Sequence, residues 1–165
     1  MFDGWGETMV LNGIDTIDGK QELFKHQRLG LITSASGVDV HLEPTAKVLH
    51  RRYGLQALFS PEHGLRGNVE AGGIVDTYID PVLSIPVHSL YRPGSQSIEP
   101  AMLDHLDALV YDIQDIGVRC YTYIATLINA PEACAANHVR LIVLARPAPL
   151  GADRIEGNIL DPGLT

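Results

Sequence analysis

The sequence predicts an α/β fold, a mostly parallel sheet with helices on both faces. Three observations predict it. Short apolar runs of strand length alternate with stretches of helical periodicity, and strand–helix–strand alternation builds parallel sheets. The runs are apolar throughout rather than alternately polar, as strands covered on both faces are. The chain has 165 residues, 45% of them hydrophobic and 19% charged, enough to bury one core without disulfides.

Leu29–Thr33 (LGLIT) is the first buried run. Pro44 can occupy the first turn of a helix. Leu42, Ala46, Leu49 and Tyr53 recur at helical spacing, and Gly54 is a natural C-cap. The next strand spans 55–60 (LQALFS). Another is expected over 85–91 (IPVHSLY), with Pro86 near its start, where a missing donor is tolerated. Pro100 opens a short helix through His105. A central strand follows over 106–113 (LDALVYDI), then a helix over 121–137 interrupted or restarted at Pro131. The last buried strand is 141–145 (LIVLA). Residues 1–150 are expected to form one domain, and 151–165, rich in Gly, Pro and Asp, to lead toward something further.

Composition excludes several jobs. A net charge of −8 disfavours a nucleic-acid binder, which needs a basic stripe for phosphates. No apolar run approaches the ~20 residues that span a bilayer, and residues 1–7 show no basic-then-apolar leader. Cys120 and Cys134 fit no zinc or CxxC spacing, so each is expected to act as a small buried apolar residue, unbridged. The seven histidines form no HExxH or HxH pattern, and no metal site is expected. GxxxxGK[ST], GxGxxG after a strand and GxSxG are all missing. No cofactor is expected.

Parallel sheets bind ligands beyond the carboxyl ends of their strands. The segments standing there are 34–37 (SASG), 61–64 (PEHG), 114–117 (QDIG) and Arg146-Pro147, all polar, charged or rich in Gly and Pro. Glu62 sits between a stiffening Pro61 and a permissive Gly64. A carboxylate held rigidly in a cleft can serve as a general acid; the alternative is a helix cap or a pair with Arg66. His63 is a base, a ligand or a loop hydrogen-bonder. Asp112 is expected to be hydrogen-bonded within its turn, with Asp115 or Gln114 facing the cleft. Glu62 and Asp115 would then be the two carboxylates of a glycosidase. Arg66, Arg119 and Arg146 either grip a substrate carboxylate or pair with Asp112, Asp115 or Glu70. Tyr121, Tyr123 and Tyr91 either stack on a sugar or pack.

Four ordered stretches carry a resemblance: 58–67 (LFSPEHGLRG), 85–91 (IPVHSLY), 109–119 (LVYDIQDIGVR) with Tyr121-Thr122-Tyr123 behind it, and 143–147 (VLARP) followed by Glu156-Gly157. From about Leu29 onward the chain resembles the bacterial exo-β-N-acetylmuramidase family, long catalogued as a domain of unknown function. The resemblance implies release of N-acetylmuramic acid from the non-reducing end of peptidoglycan fragments. It also implies a Rossmann-like three-layer N-terminal domain facing a smaller C-terminal α/β domain across a cleft. The family's proposed catalytic Glu falls on Glu62, and muramic acid's lactyl carboxylate gives Arg66, Arg119 or Arg146 a task. Asp115 is expected as the second catalytic group, with Ser34, His63, Gln114 and Tyr121 also at the substrate.

Some positions depart from the family pattern. The family usually has Asn at Ser34, Asp at Ala145, Asn at Ala148, Glu at Gly73, an aromatic at Cys120 and Met at Pro131. Family chains are also much longer, so the second domain is expected to be lacking here. That motivates an alternative, a catalytically inactive muropeptide- or sugar-binding fragment. A nucleotide-binding α/β domain is a third, disfavoured by the missing phosphate loop. The expected partner is a peptidoglycan-derived saccharide, not nucleic acid or a membrane, with self-association through an uncovered domain face. The resemblance implies a periplasmic or secreted setting.

Overall fold

The computed structural model describes residues 10–68, 70, 76–92, 94–95, 97–151, 153–161 and 163. The stretch 1–7, expected to carry no leader, and Gly73 lie outside the described residues. Along the chain come a 3-10 run Gly13–Leu23, then β1 (Leu29–Thr33), α1 (Thr45–Tyr53), β2 (Ala57–Ser60), β3 (Tyr78–Ile79), β4 (Pro86–Ser89), α2 (Pro100–Leu103), β5 (Ala108–Asp112), α3 (Tyr123–Ala136) and β6 (Arg140–Val143). They form one six-stranded sheet in the order β3-β4-β2-β1-β5-β6. Every pairing is parallel except β3 with β4.

Side chains of a strand alternate between faces, and the core divides accordingly. Leu29, Leu31, Leu58, Val87, Ala108 and Val110 pack toward α1 and the 3-10 run, where Val48, Leu49, Ile14 and Ile17 meet them. Ile32, Phe59, Leu109 and Tyr111 pack toward α2 and α3, against Met102, Leu103, Tyr123, Ala130 and Cys134. β1, β2 and β5 are buried along their whole length, which explains their unbroken apolar sequence. Each such Leu, Ile or Phe contributes roughly 1.5–3 kcal/mol by leaving water. The three-layer α/β expectation holds.

Several element-level expectations need correction. Leu42 is not on the helix: it lies in the preceding turn at φ 62°, 78% exposed. Pro44 is the N-cap, one residue ahead of α1, while Gly54 does end that helix in the left-handed region. Pro131 lies inside α3 without dividing it. The last strand is an edge strand with Arg140 and Val143 exposed, Ile142 buried against one core and Leu141 only partly buried against the other, so it is not a fully buried strand. Cys134 is buried, but Cys120 is exposed; both thiols are free. The 3-10 run and β3 were not anticipated. No helix among the described residues is long and apolar enough to cross a membrane.

Candidate active site

β4, β2, β1, β5 and β6 point the same way, so the segments following them emerge at one edge. From β1 the chain moves outward through β2 to β4, then returns to the other side of β1 for β5 and β6. The strand order therefore switches direction between β1 and β5, where such sheets open a crevice. All four loops singled out in the sequence lie along this edge.

Its base is an ion pair. Asp112, at the end of β5, is fully buried. It accepts hydrogen bonds from Arg146 Nε at 2.6 Å and Arg146 Nη2 at 2.9 Å, and from the Thr45 hydroxyl. The Arg146 side chain is only 5% exposed, and its Nη2 also donates to the Val38 carbonyl. Of the two roles open to Arg146, pairing with Asp112 is the one seen. Ser34, also buried, shares a hydrogen bond with Ser36 at 2.9 Å, and Ser36 Oγ accepts from the Gln114 N–H. The Gln114 amide donates to the Asp115 and Pro147 carbonyls. These bonds lace the ends of β1, β5 and β6 together. Gly37 is required in this lattice, because a Cβ would stand 2.0 Å from Thr33 Oγ1 and 3.0 Å from the Asp112 carbonyl.

Glu62 lies in the turn after β2, half-buried. The turn is tight: His63 at φ 69° and Gly64 at φ 76° are both left-handed, a strained state for histidine. Glu62 Oε2 accepts the Thr122 hydroxyl at 2.9 Å, and the Glu62 carbonyl accepts the Tyr123 hydroxyl at 3.3 Å. Pro61, Glu62, Leu90, Tyr91, Thr122 and Thr126 line a shallow notch. The rings of Tyr121 and Tyr123 meet edge-on, 4.7 Å apart. Burial raises the pKa of both; the Asp115 charge adds to the shift at Tyr121, and Tyr121 and then Glu62 add to it at Tyr123. The two carboxylates thus act on one aromatic pair from two loops. Asp115 is half-buried and accepts the Gly117 N–H at 2.6 Å.

Arg66 pairs with Asp80 at 2.6 Å, not with Asp112, Asp115 or Glu70. Its side chain remains 48% exposed while Asp80 is fully buried. Asp80 also accepts from the Val82 and Leu83 N–H groups. Burial alone would raise the Asp80 pKa. The hydrogen bonds from Leu83, Arg66 and Val82 and the Arg66 charge outweigh it, and the carboxyl is held below its ordinary range. Arg119 is exposed and donates to the Asn158 carbonyl. A cavity of about 350 Å³ lies on the α1 side of the edge, bounded by Ser34, Val38, Lys47, Leu65, Arg66 and Leu83 among others. Glu62 is not in its wall.

Asp80, Thr45 and Thr122 escaped the sequence reading. The Asp80-Pro81 step marks a turn and could have flagged the first; Thr45 bears no local signal, and Thr122 stands in the Tyr121-Thr122-Tyr123 stretch without a role of its own. Among the described residues no group of three or more His, Cys, Asp and Glu side chains could hold a metal ion.

A parallel α/β sheet that gathers polar and acidic loops at its carboxyl edge defines an α/β protein of the class that takes its ligand there. Residues 29–165 match the family described as exo-β-N-acetylmuramidase NamZ, N-terminal. The chain belongs to that family of peptidoglycan glycosidases. It is 45% identical over 157 residues to the peptidoglycan β-N-acetylmuramidase NamZ of Bacillus subtilis (strain 168), covering 93% of this chain and 37% of that protein. A crystal structure of a DUF1343 family protein from Bacteroides fragilis NCTC 9343 superposes with a TM-score of 0.80 at 43% identity, over 93% of this chain and 38% of that one. A second DUF1343 protein from the same strain gives 0.71 at 29% identity, over 86% and 36%. The chain therefore spans little more than a third of the length of these relatives.

Proposed function

We propose that this chain is the N-terminal, acid-bearing domain of an exo-β-N-acetylmuramidase, releasing N-acetylmuramic acid from the non-reducing ends of peptidoglycan fragments. On this reading residues 1–150 are the catalytic domain and 151–165 the lead toward a second one. The observation that carries it is the station of Glu62, half-buried on a tight turn at the switch-point edge. Family membership supports the glycosidase chemistry, and the Bacillus relative's name supports the substrate.

Glu62 gives its proton to the glycosidic oxygen as the C1–O bond breaks, and the bonding electrons leave with the departing sugar. Positive charge develops at the anomeric carbon and ring oxygen, and Asp115 opposes it or activates the attacking water. Tyr121, half-buried and packed edge-on against Tyr123, is the aromatic group offered to the sugar. The lactyl carboxylate needs a cation with reach to solvent. Arg66 and Arg119 have it, whereas Arg146 is enclosed with Asp112. His63, in the same turn as Glu62, and Gln114 and Ser34, in the neighbouring strand-end loops, are the remaining polar groups assigned to the substrate. Ile124, Ile128 and Val143 are 49%, 66% and 49% exposed, and self-association through such apolar groups is part of the proposal. A monomer by sedimentation at high concentration argues against that part.

The test is hydrolysis of a chromogenic β-N-acetylmuramide by the protein at its full genomic length, wild type against Glu62→Gln. Loss of a positioned general acid lowers kcat by about 10²–10⁴-fold. An unchanged rate removes Glu62 from the mechanism. Calorimetric binding of N-acetylmuramic acid without any turnover by the wild type points instead to a sugar-binding module.

A further inference from the structure

The start of α3 carries an inference about how Glu62 is aimed. It rests on the reading of Glu62 as the acid. Thr122 is the N-cap residue of α3, yet it makes no side-chain bond to the helix it begins. A threonine there ordinarily turns its hydroxyl onto the helix's own first N–H groups. Here the hydroxyl leaves the helix and donates to Glu62 Oε2 at 2.9 Å. The neighbouring residue holds the same target by its main chain, since the Tyr123 hydroxyl donates to the Glu62 carbonyl at 3.3 Å. Tyr123 is itself anchored: it is 7% exposed, it packs edge-on against Tyr121, and its carbonyl accepts the Tyr111 hydroxyl at 3.0 Å. The end of β5 thus holds the start of α3, and the start of α3 holds both the backbone and the carboxylate of Glu62.

From this geometry we propose that Thr122 is a positioning residue, whose hydroxyl fixes the orientation of the Glu62 carboxyl for proton transfer. A glutamate has three rotatable bonds, and a turn can fix only its backbone. The remaining freedom is reduced by the partners of its carboxylate, and the Thr122 hydroxyl is one of them. Thr122 is suited to this, because a β-branched side chain has few χ1 choices and its backbone is pinned at the next residue. Proton transfer is sensitive to such orientation: small misplacements of a reacting group cost one to two orders of magnitude. The role is made in catalysis rather than in holding the fold. Thr122 is exposed, and its hydroxyl contributes nothing to capping α3.

The experiment uses the protein at its full genomic length with a chromogenic β-N-acetylmuramide and four forms: wild type, Thr122→Val, Thr122→Ser and Glu62→Gln. Valine keeps the shape and removes the donor; serine keeps the donor. The expected result is a fall in kcat of about tenfold or more for Thr122→Val, KM within about twofold, an unchanged Tm, and recovery toward wild type with Thr122→Ser. A Thr122→Val protein with wild-type kcat, beside an inactive Glu62→Gln, overturns the positioning role and leaves Glu62 in place. So does a matching loss in Thr122→Ser. Full activity in Glu62→Gln overturns the reading of the acid itself.

Discussion

Asp112 and Arg146 form a charge pair that water scarcely reaches, with side chains 0% and 5% exposed. Breaking such a pair from one side strands the other charge, which costs about 3–5 kcal/mol. Asp112→Ala is therefore expected to lower unfolding stability by about that much in urea titration, and Asp112→Ala/Arg146→Met by clearly less. Equal losses in the single and double variants would show that packing, not stranded charge, sets the cost. A second expectation concerns the thiols. Cys134 is 2% exposed, and burial pushes its pKa up to about 11, whereas Cys120 is exposed. A disulfide-exchange reagent at neutral pH should titrate one thiol in the native protein and two in denaturant; two fast native thiols would contradict the burial. At this scale the sequence disclosed the residues that punctuate a turn, such as Pro61, Glu62 and Gly64. It concealed those defined by a distant partner. Thr45 meets Asp112 across 67 positions and Thr122 meets Glu62 across 60, and no local rule reaches that far. Arg146 was open between two roles for the same reason, because its neighbour is decided by the register of β5 and β6.

Elements were legible where burial is two-sided. β1 was readable to the residue, and β2 and β5 to within two, because a strand covered on both faces requires an unbroken apolar run of its own length. Elements that lean on others were not. β3 has two residues and exists by pairing with β4. β6 is apolar in sequence but stands at the sheet's edge, half uncovered. Pro131 shows the competition within one helix. Locally it predicts a break, since it removes an N–H and crowds the preceding turn. Yet Tyr123, Ala130 and Cys134 dock on the same face of the sheet from both sides of it, and that burial holds α3 together. The proline is thus a tolerated cost. Because it is exposed, Pro131→Ala removes no packing and restores a helical donor. It should stabilise the protein by about 1–3 kcal/mol, read as a higher Tm and urea midpoint. A lower Tm would mean that the helix needs the proline's bend to reach the sheet.

The molecule as a whole is tied across its sheet by carboxylates, and this determines how it meets acid. Asp80 joins the β3–β4 hairpin to the loop that carries Glu62, through Arg66 and the Val82 and Leu83 N–H groups. Asp107 joins the start of β5 to the start of β1 through Arg28, whose hydrogen bonds hold its carboxyl at about 2. Both pKa values are depressed in the folded state, relative to about 3.9 in an unfolded chain. The unfolded chain therefore takes up protons first. Each carboxylate's contribution is present above about pH 4 and is lost as pH falls through its folded value. Asp107 and Arg28 face solvent, so salt screens their pair and its share is small. Asp80 is enclosed, and its share should dominate. Melting curves from pH 7 to pH 2 are expected to show Tm falling below about pH 4, with Asp80→Asn less stable than wild type at neutral pH. The asparagine does not titrate, so the gap between the two proteins should close toward pH 2. Two curves that stay parallel over the whole range would mean that Asp80 binds its partners no better as an anion than as a neutral group, and that the hairpin is held to the Glu62 loop by packing alone.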